Sequence, residues 1–177
     1  EADLTFIGRG QPIHTGGFSN NFTYKAFNLN VFFQWSYGND IYNANRLIME
    51  GNSNGWANIN QFASYSNRWS PENPTNENYR TRGQGPIGFH SSRVVEDGSF
   101  LRMKTVSLNY NLPAKLIKTA YLSSLSVNVS AQNLITWTNY SGMDPEVSTR
   151  NNTLTPGFDY SSYPRSPTIA FGIKAGF

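Results

Sequence analysis

His14 and His90 are the only two histidines in the 177 residues. Serine and aspartate are plentiful, but a nucleophile–histidine–carboxylate set needs a base held in place by packing. Both histidines fall in segments read as loops, so no catalytic residue is assigned and the chain is read as a non-enzyme. Asp144, Glu146 and Asp159 carry hard oxygen ligands of the kind that hold a cation, without the spacing of an EF-hand. The preferred reading is that Asp144-Pro145 is a turn, with the carboxylates solvated or paired with Arg150 and Arg165. The chain has no cysteine, which rules out disulfides and thiolate metal sites. No metal and no cofactor is assigned. Gly8-Arg9-Gly10 and Gly83-Gln84-Gly85 are glycine-rich, but neither lies between a strand and a helix as a phosphate cradle requires. Asn21, Asn128, Asn139 and Asn151 match N-x-S/T, as chance predicts in a chain rich in Asn and Ser.

Trp56, Tyr65, Trp69 and Tyr79 are the group best suited to recognition. Aromatic faces stack on sugar rings, and neighbouring amides bond hydroxyls. The preferred reading is that these rings pack their own loop or contact a partner protein. They are the candidates for a surface facing substrate or partner.

The elements that would carry this loop are strands. In the last ten residues, Ile169, Phe171, Ile173, Ala175 and Phe177 alternate with Ala170, Gly172, Lys174 and Gly176. Alternation of this kind argues a strand with one apolar side, facing either lipid or the core of a soluble sandwich. Charged residues are only 14% of the chain, against roughly 25% in an ordinary soluble domain. The net charge of +3 is too small and dispersed to argue for nucleic acid. No apolar run reaches the length of a transmembrane helix, which does not exclude barrel strands. The opening EADLTFIGRG lacks the pattern of a signal peptide.

Four further alternating stretches complete the reading, giving strands at about 17–24, 28–37, 100–112, 123–137 and 165–177. The segment Asn28 to Tyr37, at about 3.3 Å per residue and a tilt of roughly 45°, rises about 23 Å, close to the apolar band of an outer-membrane barrel. Leu29, Val31, Phe33, Val106, Leu108, Val127, Val129, Phe171 and Ile173 would face lipid. Arg102 and Lys104 share that parity and would sit at its extracellular rim. Trp35, Tyr37, Tyr110, Trp137 and Tyr140 would form girdles at the lipid–water boundary. Connections alternate between short turns and long polar loops at about 38–98 and 139–164, a barrel habit that puts the long loops outside. A helix is expected within Asn43 to Glu50. Open strand edges in hydrocarbon leave unpaired backbone groups, so the expectation is an all-β antiparallel segment of a larger transmembrane barrel.

Four stretches, GGFSNNFTYKAFNLNVFFQWSYGNDIYNANR from Gly16, FLRMKTVSLNYNLP from Phe100, SAQNLITWTNYSGMDPEV from Ser130 and YPRSPTIAFGIKAGF from Tyr163, together resemble the C-terminal end of SusC/RagA-like TonB-dependent transporters of Bacteroidetes. The resemblance implies the last five strands of a barrel of about 22 strands, with the terminal Phe177 as its assembly signal. It implies an outer-membrane location and active import of oligomeric nutrients, glycans or peptides. It also implies a SusD-like surface lipoprotein as lid, and TonB acting through plug residues upstream of Glu1. The competing readings are a secreted carbohydrate-binding β-sandwich and a passive porin.

Overall fold

The computed structural model describes residues 5–50, 60–78, 80, 91–118, 121–149 and 155–177. Trp56, Tyr79, His90, Gly83 and Gly85 lie outside the described residues. In chain order the strands are β1 (His14–Tyr24), β2 (Phe27–Tyr37), β3 (Asp40–Asn43), β4 (Val95–Asp97), β5 (Phe100–Asn111), β6 (Ser124–Thr138), β7 (Phe158–Asp159) and β8 (Thr168–Gly176). Two short helices, α1 (Ala44–Met49) and α2 (Ala114–Ile117), follow β3 and β5. The chain divides into a sheet unit of Ile13–Tyr37, Ser99–Asn139 and Pro164–Phe177, and a loop unit of Glu1–Pro12, Gly38–Gly98 and Tyr140–Tyr163.

The sheet unit is one antiparallel sheet ordered β1-β2-β5-β6-β8. Register partners share a face, so the pairings assemble rows across it. On one side run Tyr24–Phe27–Tyr110–Val127–Ile173, then Phe22–Leu29–Leu108–Val129–Phe171, then Asn20–Val31–Val106–Ala131–Ile169. Above them come Phe18–Phe33–Met103–Ile135 and Gly16–Trp35–Leu101–Trp137. Aliphatic residues thus fill the middle, with aromatic rings concentrated toward both ends. Phe27 stacks on Tyr110 at 4.4 Å at one end, and Phe18 on Phe33 at 4.8 Å at the other. Among the described residues none covers this face: Leu108 is 41% exposed, Ile173 76% and Phe171 80%.

The opposite side is polar. Its rows include Thr23–Asn28–Asn109–Asn128–Gly172 and Asn21–Asn30–Ser107–Ser130–Ala170. Its polar side chains bond one another: Asn30 Nδ2 donates to Ser19 Oγ at 3.1 Å, and Asn109 Nδ2 to Asn111 Oδ1 at 3.0 Å. Two adjacent glycines serve the two faces. A Cβ on Gly16 would collide with the indole of Trp35, and one on Gly17 with the ring of Phe32.

The register slips twice at one level of the sheet. Phe32 pairs with Thr105 but Phe33 with Met103, leaving Lys104 over on β5. Thr105 pairs with Gln132 but Met103 with Ile135, so β6 carries one residue more than β5 there, with Asn133 at φ 51°. Each slip is a β-bulge, which flips the parity of the strand beyond it and sharpens its twist. This corrects the expectation for Arg102. Leu101 and Met103 take the apolar face, and Arg102 falls in the polar row Gly17–Gln34–Arg102–Thr136, 2% exposed.

The loop unit is built on a three-stranded sheet, with β3 between antiparallel β4 and parallel β7. The two segments read as loops therefore fold together, through strands too short to show periodicity. Ile41, Ala44, Val94 and Tyr140 form its buried apolar core, beside buried Asn39, Asn43, Asn78, Asp144 and Asp159. Tyr140 is accordingly no girdle residue. Its hydroxyl donates to Asp159 Oδ2 at 2.6 Å inside this unit.

Candidate functional site

Of the four aromatic candidates, Tyr65 and Trp69 are described, and both belong to the loop unit. Tyr65 sits in a 3-10 turn, Ala63–Asn67, half-buried, with the Arg68 guanidinium 5.1 Å from its ring centre. Trp69 is 36% exposed, with the Arg80 guanidinium 5.6 Å from its ring centre. A guanidinium over a ring face is attracted by its quadrupole, so each ring has one face committed to a cation. The segment is held by polar bonds. Trp69 N–H donates to the Asn78 carbonyl at 3.0 Å, buried Asn78 donates from Nδ2 to the Ser64 carbonyl at 2.6 Å, and Asn67 Nδ2 donates to Glu77.

An ionic network ties this segment to the unit's core. Glu50 Oε2 accepts from Arg46 Nε and from Arg93 Nη2, both at 3.1 Å, while Ser64 Oγ donates to Glu50 Oε1 at 3.0 Å. Arg93 also donates to Asn78 Oδ1 and to the Glu77 carbonyl. Arg46 Nη1 reaches Glu96 Oε1 at 3.1 Å. Glu96 further accepts from Asn43 Nδ2, Ser141 Oγ and Ser141 N–H. Burial by itself would push the Glu96 carboxyl up. The two Ser141 bonds, with Arg46 and Asn43, outweigh that and hold it below the usual carboxylate range. Burial and the neighbouring Asp159 carboxylate together push the Tyr140 phenol up, so it stays a hydrogen-bond donor.

The proposed carboxylate cluster does not assemble as spaced in the sequence. Asp144 Oδ1 accepts from the Glu146 N–H at 2.9 Å, closing a turn across Pro145, and Asp159 is held by Tyr140. Among the described residues no three His, Cys, Asp or Glu side chains converge as a metal site. Gly8-Arg9-Gly10 runs beside β3, where the Arg9 N–H donates to Asp40 Oδ2 and the Asp40 N–H to the Arg9 carbonyl, each at 2.7 Å. A cavity of about 220 Å³ lies there, lined by Arg9, Asp40, Tyr42 and Pro156 among others. His14 accepts at Nδ1 from Trp35 Nε1 at 3.0 Å and stacks on Tyr37, a packing role at the end of β1.

Sequence reasoning passed over the bulges and the Glu96–Arg46 network. A signal for the first was present. Arg102 and Lys104 broke the apolar parity of β5, and Asn133 broke that of β6. The second left no local signal, because its members come from five separate stretches.

No family model matches the chain. It is 37% identical over 181 residues to TonB-dependent receptor P3 of Formosa agariphila, and 33% identical over 180 residues to TonB-dependent receptor P26 of that organism. Each alignment covers 99% of this chain, but 17% and 18% of those relatives, so the chain spans about one sixth of their length. Solved structures of the RagAB peptide importer in its open-open and closed-closed states both match at a TM-score of 0.75, with 30% and 28% identity. Each match covers 94% of this chain and 17% of that one. Agreement of sequence over nearly all 177 residues and of fold at these identities has one meaning: the chain belongs with the TonB-dependent receptors and corresponds to a portion of a SusC/RagA-like member.

Proposed function

We propose that these residues are the C-terminal portion of an outer-membrane importer driven by TonB. The sheet unit supplies five strands of barrel wall, and the loop unit is its extracellular face. The observation that carries this is the two-sided sheet. One face holds an aliphatic band between aromatic rows, left exposed among the described residues, and the other is a ladder of Asn, Ser and Thr. Barrel strands need that arrangement, apolar toward acyl chains and polar toward a lumen. Leu29, Val31, Phe33, Val106, Leu108, Val127, Val129, Phe171 and Ile173 then face lipid. A β-sandwich would bury Val31, Val106, Val129 and Ile173 under a second sheet.

In this reading the loop unit, with Tyr65 and Trp69 and the neighbouring Trp56 and Tyr79, meets the cargo or a SusD-like surface lipoprotein. Cargo is an oligomer. The peptide import stated for RagAB favours peptides, and glycans remain the other class. TonB acts through plug residues elsewhere in the whole protein. The test is uptake of labelled oligopeptides and oligosaccharides by cells carrying the whole receptor. Uptake should require both TonB and the proton-motive force. Uptake that persists without TonB supports a passive porin instead and overturns the proposal.

A further inference from the structure

Asn43 and Asp159 are register partners in the parallel pair β3–β7, so their side chains leave the same face of that sheet. They are 2% and 3% exposed. Asn43 commits its Nδ2 to Glu96 Oε1 at 3.2 Å, and Asp159 accepts the Tyr140 hydroxyl at Oδ2. What remains on both is an oxygen. Asn43 Oδ1 and Asp159 Oδ1 are buried with no hydrogen-bond donor. Two acceptors left bare on neighbouring side chains are costly, since a buried polar group without a partner loses its hydration for nothing.

The charges around them point to what completes the pair. Arg46 and Arg93 are taken up by Glu50 and Glu96. Glu96 has its own donors in Ser141, Arg46 and Asn43. Among the described residues no guanidinium or ammonium group pairs with Asp159, whose buried negative charge is met only by a neutral phenol. A carboxylate oxygen and an amide oxygen, both buried without a donor on register partners of one sheet face, are ligands of hard cations, which complete their shells with carbonyls and water.

From this geometry we infer that Asp159 and Asn43 hold a hard cation of the calcium class in the core of the loop unit. The cation pins β7 to β3, and so joins the segment after Tyr140 to the segment after Gly38. The inference does not depend on what the receptor imports.

The test uses the whole receptor in detergent, titrated with CaCl2 alone by calorimetry. Asp159→Asn keeps an acceptor for Tyr140 and removes the charge. It should bind one equivalent fewer than the natural protein. Asn43→Asp adds a second carboxylate ligand and should bind that equivalent about tenfold more tightly. Hydrogen exchange at Tyr140, Ser141, Phe158 and Asp159 in the unaltered receptor should be slower in CaCl2 than in EGTA. That arm decides the matter if either variant fails to assemble. Equal equivalents in Asp159→Asn and the natural protein, or exchange at those four amides indifferent to calcium, would overturn the inference in favour of a bridging water or a shared proton.

Discussion

Met103 lies opposite Phe33, although the next pair along the same two strands is Thr105 with Phe32. The residue skipped is Lys104, and its insertion turns Arg102 off the apolar face. Deleting Lys104 should close the bulge against β2 with Arg102 still opposite Gln34, but leave Asn133 and Leu134 of β6 opposite no residue of β5. The damage therefore falls on the pairing of β5 with β6, where the one-residue mismatch becomes two. The measurement is the fraction of receptor that migrates as folded barrel on unheated gels. It should fall clearly below that of the natural protein, and an unchanged fraction would show the bulge to be dispensable.

The rows predict opposite outcomes for adjacent positions. Leu108 belongs to the aliphatic band and Asn109 to the amide ladder. Leu108→Arg should destabilise the membrane-folded barrel by about 2–4 kcal/mol, the range for arginine at the lipid midplane. Asn109→Arg should cost far less. Denaturant unfolding of the receptor in lipid vesicles measures both, and equal costs would contradict the assignment of faces.

Glu96 makes the loop unit sensitive to acid in a stated direction. Its folded-state carboxyl titrates below the ordinary value of 4.5. A depressed carboxyl contributes stability that is complete above its unfolded pKa and is lost as pH falls through the folded one. The loop unit should therefore loosen below about pH 4.5, seen as faster hydrogen exchange at the Ser141 amide. Glu96→Gln should remove most of that pH dependence, while the sheet unit's exchange stays the same.

Tyr65 and Trp69 each carry a guanidinium on one face. Replacing both with Ala, together with Trp56, should weaken retention of the surface lipoprotein or uptake of cargo without altering barrel assembly. Co-purification and uptake assays read the two effects separately. Normal values in both would return these rings to a packing role.

The wide strands were legible because alternation over nine or more residues is a strong signal, and β2 and β8 display it almost without exception. β5 was legible only from Thr105 onward, since a bulge inverts parity without changing composition. The strands of the loop unit were not legible at all. β7 has two residues and β4 three, and periodicity needs more than that. Tyr140 misled because an aromatic residue just past a strand suits a girdle and a buried core alike. What separated the two was Asp159, nineteen positions away in the chain.

The most direct measurement is the environment of adjacent labels on β6. The chain has no native cysteine, so Val129→Cys and Asn128→Cys can each carry one nitroxide within it, in the whole receptor reconstituted into bilayers. Collisions with oxygen and with a water-soluble nickel chelate distinguish lipid from water. The label at Val129 should meet oxygen and exclude the chelate, with the reverse at Asn128. A Val129 label shielded from both reagents would mean that it is packed inside protein, and would contradict the account of this sheet as membrane wall.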